Sequence, residues 1–227
     1  MEPNHPVVPY ENASAGRLKE LRQFMVRRDG VAHREELVAQ GFSSSQIKNW
    51  VRSGRLITVF RSVFAFGRDL ENRNALWRAA LLVAGPGSAL TGRSACEALG
   101  LVKRWPAMPF VVQVASPAGQ ARQFRGLSPA LRKTSISVVR RNLHSGDFMT
   151  VEGIRTVKPA LSLIDFAGDG SDRDLWFAFK EASRLFRFGP EDVEHFSARM
   201  RHRNGAAKMR PLLALLERAS GTGTGAG

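Results

Sequence analysis

The chain has 227 residues, 43% hydrophobic and 24% charged, a globular composition too apolar for general disorder. Its 34 Lys and Arg against 20 Asp and Glu give a net charge of +14, an excess that favours an anionic partner, nucleic acid or an anionic membrane surface. A lone cysteine, Cys96, excludes an intramolecular disulfide, no apolar run reaches the ~18 residues of a membrane span, and "MEPNHPVVPYENASAG" has neither the basic nor the apolar region of a secretory leader, so a cytoplasmic protein is expected.

Residues 1–14 are expected to be flexible. From 15 to 29, "AGRLKELRQFMVRRD" places Leu18, Leu21, Phe24 and Met25 at helical spacing, with Gly30 as a stop. A second short helix fits "HREELVAQG", with Leu37 and Val38 inward and Gly41 ending it. In "SSSQIKNWVRSG", Ser43 and Gln46 have the capping-box spacing and Gly54 stands where a left-handed residue closes a helix. "RLITVFRSVFAFG" is rich in β-branched and aromatic residues and reads as a hairpin turning at Arg61-Ser62. This order predicts a winged helix-turn-helix over 15–68.

The third helix divides cleanly. Ile47, Trp50 and Val51 share one face; Ser44, Ser45, Lys48, Asn49 and Arg52 lie away from it. Alone, such a polar stripe marks only a solvated face. Here it lies in residues 37–68, which hold five Lys or Arg and no Asp or Glu, the pattern of a surface that meets phosphate. In a major groove Asn pairs bidentately with adenine and Arg with guanine, while Ser and Lys reach phosphates or base edges. Arg55 and Arg61, at the base and tip of the hairpin, are the matching backbone or minor-groove contacts. Trp50, Phe60, Phe64 and Phe66 are expected in the core.

The remainder, 69–219, predicts a mixed α+β domain with a small sheet and C-terminal helices, so the fold class is α+β. "NRNALWRAALLVAG" is an amphipathic helix followed by a Gly-Pro-Gly turn at 85–87, and "TGRSACEALGL" is a short helix capped by Thr91. "FVVQVAS" and "ISVVRRN" read as strands joined by a loop rich in Pro, Gly, Arg and Gln; "FMTVEGIRTV" reads as a hairpin around Glu152-Gly153. Four helical stretches follow from Pro159, and the tail 220–227 is low-complexity. A second acid-free run, 98–146, holds eight bases. Its Arg122, Arg125, Arg132, Lys133, Arg140 and Arg141 form either an exposed Arg-rich loop or a second surface for DNA or a partner.

Signals for catalysis are thin. His5, His33, His144, His195 and His202 have no zinc spacing with one another or with Cys96, and His195 and His202 fit a solvated helix face. Asp165 follows an apolar run and is expected to cap or orient a helix; Asp169, Asp172 and Asp174 lead into a helix N-terminus, where the dipole favours acids. "GPGS" follows a helix, unlike a phosphate loop, and no Asp…Glu-x-Lys nuclease pattern occurs. Cys96 is expected in the core. No catalytic, cofactor-binding or metal-binding residue is nominated.

Three stretches carry a resemblance: "VAHREELVAQGFSSSQIKNWVRSGRLITVFRSVFAFG", "WRAALLVAGPGSALTGRSACEALGL" and "VEGIRTVKPALSLIDFA". In this order they resemble the AbiEi-type antitoxins of type IV toxin-antitoxin systems, over roughly residues 17–217, with the Ser-Ala pair at 94–95 and the Gly-Ile-x-Thr-x-x-Pro-Ala joint at 153–160 as markers. The resemblance implies a winged helix on double-stranded operator DNA, an α+β antitoxin domain, autorepression, and a nucleotidyltransferase-like toxin as the antagonised partner. It further implies a monomer or weak dimer in solution, with several copies on DNA. Many relatives continue into a nuclease-like domain, so a DNA-processing enzyme or a truncated relative is one alternative; a protein-binding antitoxin with DNA binding secondary is another. Ser62 stands where the family's wing usually has glycine, and Leu161 where arginine is common.

Overall fold

The structure, a computed structural model, describes residues 10–67, 72–103, 111–117, 121–186, 190–199, 205, 207–212 and 214. Expectations for His5, His202 and the tail 220–227 lie outside the described residues. The fold is α+β with a winged-helix-like first part. It divides into two units: Met1–Val83 with Leu127–Pro129, and Ala84–Gly126 with Ala130–Gly227.

In the first unit, α1 (Tyr10–Val26) begins at Tyr10 rather than Ala15 and ends before Asp29 and Gly30, whose φ angles of 53° and 75° turn the chain into β1 (Val31–His33). His33 then caps α2 (Arg34–Ala39) in a box with Glu36: its main-chain N–H donates to Glu36 Oε2 at 2.8 Å. Leu37 is buried but Val38 is 48% exposed, against expectation. Successive residues of a helix point about 100° apart, and here the core takes only the Leu37 side.

After α2 come α3 (Ser44–Arg52), β2 (Leu56–Phe60) and β3 (Val63–Phe66). The strands form an antiparallel sheet in the order β1-β3-β2, so the hairpin gains a third strand that the sequence does not announce. Leu21, Met25, Leu37, Phe42, Ile47, Trp50, Leu56 and Phe64 make one core, with Phe66 and Val51 packed on its margin. Trp50 sits edge-on to Phe42, ring centroids 5.2 Å apart. The next helix, α4 (Arg73–Ala84), clusters mainly with this unit, and Arg78 donates from Nε to Asp29 at 2.6 Å. By contacts the division falls at 83/84, where the sequence suggested 68/69.

The second unit is built on β4 (Ala89–Leu90), β5 (Val111–Ser116), β6 (Arg122–Arg125), β7 (Ser135–Arg140), β8 (Phe148–Val151) and β9 (Ile154–Val157). They form one six-stranded mixed sheet in the order β6-β7-β5-β4-β9-β8. β5 with β7 and β4 with β9 are parallel; the remaining pairs are antiparallel. β5 and β7, each with three β-branched residues in six, are interior strands of the sheet, and β7 buries alternate residues. The stretch read as an Arg- and Gln-rich loop contains edge strand β6. The β8–β9 hairpin turns at Glu152 and Gly153, φ 49° and 76°, a left-handed pair that suits a two-residue connection. Helices α5 (Gly92–Ala98), α6 (Pro159–Asp169), α7 (Asp172–Phe186) and α8 (Pro190–Arg199) belong to this unit, with α6 packing against the other three, and the described residues 205, 207–212 and 214 are helical as well. Pro159 at the first position of α6 supplies no N–H, where none is needed.

Candidate nucleic-acid interface

The best-defined surface is α3 with the hairpin that follows it. Ser43 holds the helix start: Gln46 N–H donates to its Oγ at 3.2 Å, and Ser43 N–H donates to Gln46 Oε1 at 2.8 Å. At the far end Gly54, φ 72°, releases the chain into β2. Ile47 and Trp50 face inward, 0% and 7% exposed. Ser44, Ser45, Lys48, Asn49 and Arg52 are all exposed, as are Arg55 and Arg61. The core therefore fixes the rotation of the helix, and the rotation fixes which side chains reach out. Phe60 and Phe64 are buried and Phe66 half-buried, so the hairpin aromatics serve the core. Ser62 takes the left-handed conformation at the turn, φ 61°, so this turn forms without a glycine.

Cations differ across this unit in what they hold. Arg17 pairs with Glu20 at 2.7 Å, Arg28 with Glu36, and Arg78 with Asp29 at 2.6 Å. Among the described residues, no carboxylate pairs with Lys48, Arg52, Arg55 or Arg61. Arg52 donates instead to Asn49 Oδ1, and Arg55 to Ser53 Oγ at 3.4 Å. A cation without a counter-charge keeps its full attraction for an outside anion, which screening weakens but does not cancel within ~10 Å at 0.1 M salt.

The second basic run behaves otherwise. Arg122, Arg125, Arg132, Lys133 and Arg140 are exposed, the first two on edge strand β6. Arg141 does not join them, and the expectation for this residue is corrected. Its guanidinium turns inward, donating from Nη2 to Asp165 Oδ1 at 2.9 Å and from Nε to Oδ2 at 3.3 Å. Its side chain is 10% exposed and that of Asp165 4%. Thr91 adds a hydroxyl donated to Asp165 Oδ2 at 2.5 Å, so it occupies the N-cap position of α5 without capping it through its side chain. Asp165 lies within α6 rather than at its end, and ties that helix to the residues that directly follow β4 and β7. Burial pushes its carboxyl up, opposed by Arg141 and Thr91, and burial lowers the Arg141 guanidinium.

Beside this pair lies a cavity of about 330 Å³ lined by Thr91, Gln113, Ser137, Arg141, Asp165 and Asp169 among others. Its polar groups are largely committed to one another: Gln113 Nε2 donates to Asp169 Oδ2 at 2.7 Å, and its Oε1 accepts from Arg93 N–H at 2.7 Å. Gly92 suits this place because its φ is 52°, and a Cβ there would stand 2.3 Å from Gln113 Oε1 and push that side chain from its present bonds. Asp172 and Asp174 occupy the first turn of α7, where the helix dipole favours them. His195 is exposed. Cys96 is buried, and burial raises its thiol to about 12. Among the described residues no three of His, Cys, Asp and Glu group as metal ligands, and no helix is long and apolar enough to cross a membrane.

No protein-family model matches the chain, and no curated protein matches it. Among solved structures it is similar to the RV2827C protein from Mycobacterium tuberculosis, with 19% sequence identity and a TM-score of 0.56, over 89% of this chain and 76% of that one. The likeness is one of fold.

Proposed function

We propose that the chain is a DNA-binding transcriptional regulator of the AbiEi type: an antitoxin that represses its own type IV toxin-antitoxin operon, counters a nucleotidyltransferase-like toxin, and has no enzymatic activity. One observation carries the DNA-binding part. The core-locked α3 presents Ser44, Ser45, Lys48, Asn49 and Arg52 as an exposed edge beside Arg55 and Arg61, and among the described residues none of its cations is spent on a carboxylate. Phosphate contacts position such a helix and base contacts give it sequence preference. The antitoxin part is supported by the resemblance of the three quoted stretches. Arg122, Arg125, Arg132, Lys133 and Arg140 supply further phosphate contacts in this reading; Arg141 does not.

The test is a salt series with the chain's own promoter fragment and a scrambled duplex. With four to five phosphates neutralised per protomer, log affinity falls with log salt at a slope of about −4. Promoter DNA bound no tighter than scrambled DNA throughout the series would remove the repressor reading, and Mg²⁺-dependent cleavage of supercoiled plasmid would replace it with a DNA-processing one. Pull-down after co-expression with the neighbouring gene tests whether the toxin is touched directly.

A further inference from the structure

We infer that the Lys48–Asn49–Arg52 part of the exposed α3 edge offers hydrogen-bond donors only, and that it therefore selects neighbouring guanines on one strand and discriminates against adenine. The inference rests on the DNA-binding reading above and deepens it.

The decisive contact is Arg52 donating from Nη2 to Asn49 Oδ1. A guanidinium has donors and no acceptor, so the chemistry fixes which way the Asn49 amide points: Oδ1 towards Arg52, the NH₂ group away from it. Adenine recognition by asparagine needs both ends of the amide, Oδ1 accepting from N6–H and Nδ2 donating to N7. Here Oδ1 already accepts a charge-assisted bond. Its second lone pair is open, but an adenine amino group brought to it would set its partly positive hydrogens beside the guanidinium. What remains outward at these three residues is the Asn49 NH₂ group, the unused N–H groups of Arg52, and the Lys48 ammonium, all of them donors; the Ser44 and Ser45 hydroxyls, which can also accept, lie a turn earlier at the start of the helix.

Among the bases, guanine presents two acceptors, O6 and N7, to the major groove and no donor there, whereas adenine presents one of each. The donor-only Asn49–Arg52 pair thus fits guanine and leaves the adenine amino group without a partner there. Spacing adds a second condition. Asn49 and Arg52 are three residues apart on the helix, a rise of about 4.5 Å, against about 3.4 Å between successive bases of one strand. Adjacent or once-removed guanines match that separation.

Full-length protein used to select from a random duplex pool should enrich a motif with two guanines, adjacent or one base apart on the same strand. Replacing either guanine by 7-deazaguanine removes its N7 acceptor and should weaken binding about tenfold, within the range of a good base contact. Asn49→Asp keeps an oxygen for Arg52 but exchanges the outward donors for lone pairs, so it should abolish the preference for one of the two guanines and retain the other; circular dichroism checks that the variant folds. Enrichment of an adenine-led motif, or indifference to 7-deazaguanine in a specific site, overturns this inference while leaving sequence-specific DNA binding intact. Affinity for duplex no greater than for heparin, with nothing enriched, overturns the DNA-binding reading and the inference with it.

Discussion

The two acid-free basic runs of this chain look alike in sequence and fold to different ends. On α3 and its hairpin, Lys48, Arg52, Arg55 and Arg61 stay exposed and hold no carboxylate among the described residues. In the second unit Arg141 turns inward and clamps Asp165 in a buried pair closed by Thr91. A lack of nearby acids therefore predicts a free cationic surface only where the fold brings no acid from elsewhere. The counter-charge of Arg141 lies 24 residues along the chain, on a helix that composition counted over a window never sees. Cations that meet an outside anion and cations that staple the interior are separated by tertiary structure, and substitutions should separate them again.

The largest effects fall on what holds each region in place. Trp50→Ala removes the aromatic that packs α3 edge-on against Phe42 and should destabilise the first unit by about 3–5 kcal/mol, with DNA affinity lost as the unit unfolds. Arg141→Ala should cost about as much, 3–5 kcal/mol, because it strands the Asp165 carboxylate in a site that is only 4% exposed. Removing both partners, in Arg141→Met with Asp165→Leu, should recover most of that loss, since the desolvation penalty disappears together with the attraction. Denaturant melts give the three values. Cys96 tells the units apart: burial raises its thiol to about 12, so at neutral pH the folded protein holds almost no thiolate. Labelling by a thiol reagent should accelerate in Arg141→Ala and stay slow in Trp50→Ala. Fast labelling in both would mean that the two units unfold as one.

Local signals made the first region legible. The Ser43–Gln46 box, the Ile47–Trp50 stripe and the Gly54 stop all act within one helix, so their spacing in the sequence is their spacing in space. Legibility failed where an element is too short for a period or where a partner is remote. The residues of β1 offer three positions, too few to show alternation, and they become a strand only because β3 pairs with them. "RQFR" reads as a charged loop, yet as β6 it needs just one neighbour, β7, and its arginines suit an edge. Thr91 has the residue type and the place of a cap, but its hydroxyl goes to Asp165, 74 residues away. The Asn49 amide shows the same limit at closer range: sequence places it on the outward face, while only coordinates show its oxygen taken by Arg52.

A middle-sized effect probes the comparison from the DNA side. Arg52→Ala should lower affinity for a specific site by about 1–3 kcal/mol with the melting temperature nearly unchanged, because the side chain is exposed and pairs with no acid among the described residues. Arg140→Ala, on the exposed part of the second run, should weaken specific and scrambled duplex equally and lower the salt slope by about one, the signature of a phosphate contact. Equal losses on both duplexes for Arg52→Ala would move it from base reader to phosphate contact. An Arg140→Ala variant with an unchanged slope would leave the second run without a role in DNA binding.

The smallest expected effect concerns the turn at the hairpin tip. Ser62 sits at φ 61°, a conformation that costs a residue with a Cβ about 1 kcal/mol and costs glycine nothing. Its carbonyl also accepts from Arg34 N–H at 2.8 Å, a main-chain contact that glycine keeps. Ser62→Gly thus relieves the strain without breaking a bond, while the freer unfolded chain gives back part of the gain, so stabilisation should be at most about 0.5–1 kcal/mol. Affinity decides what the serine is for. Arg61 lies just before it and owes its position to this turn; if the turn geometry alone sets that position, Ser62→Gly raises the melting temperature and leaves DNA binding unchanged. A stabilised variant that binds more weakly would mean that the stiffer residue holds Arg61 in place, and that the left-handed serine is maintained at a cost to stability for the sake of the contact beside it.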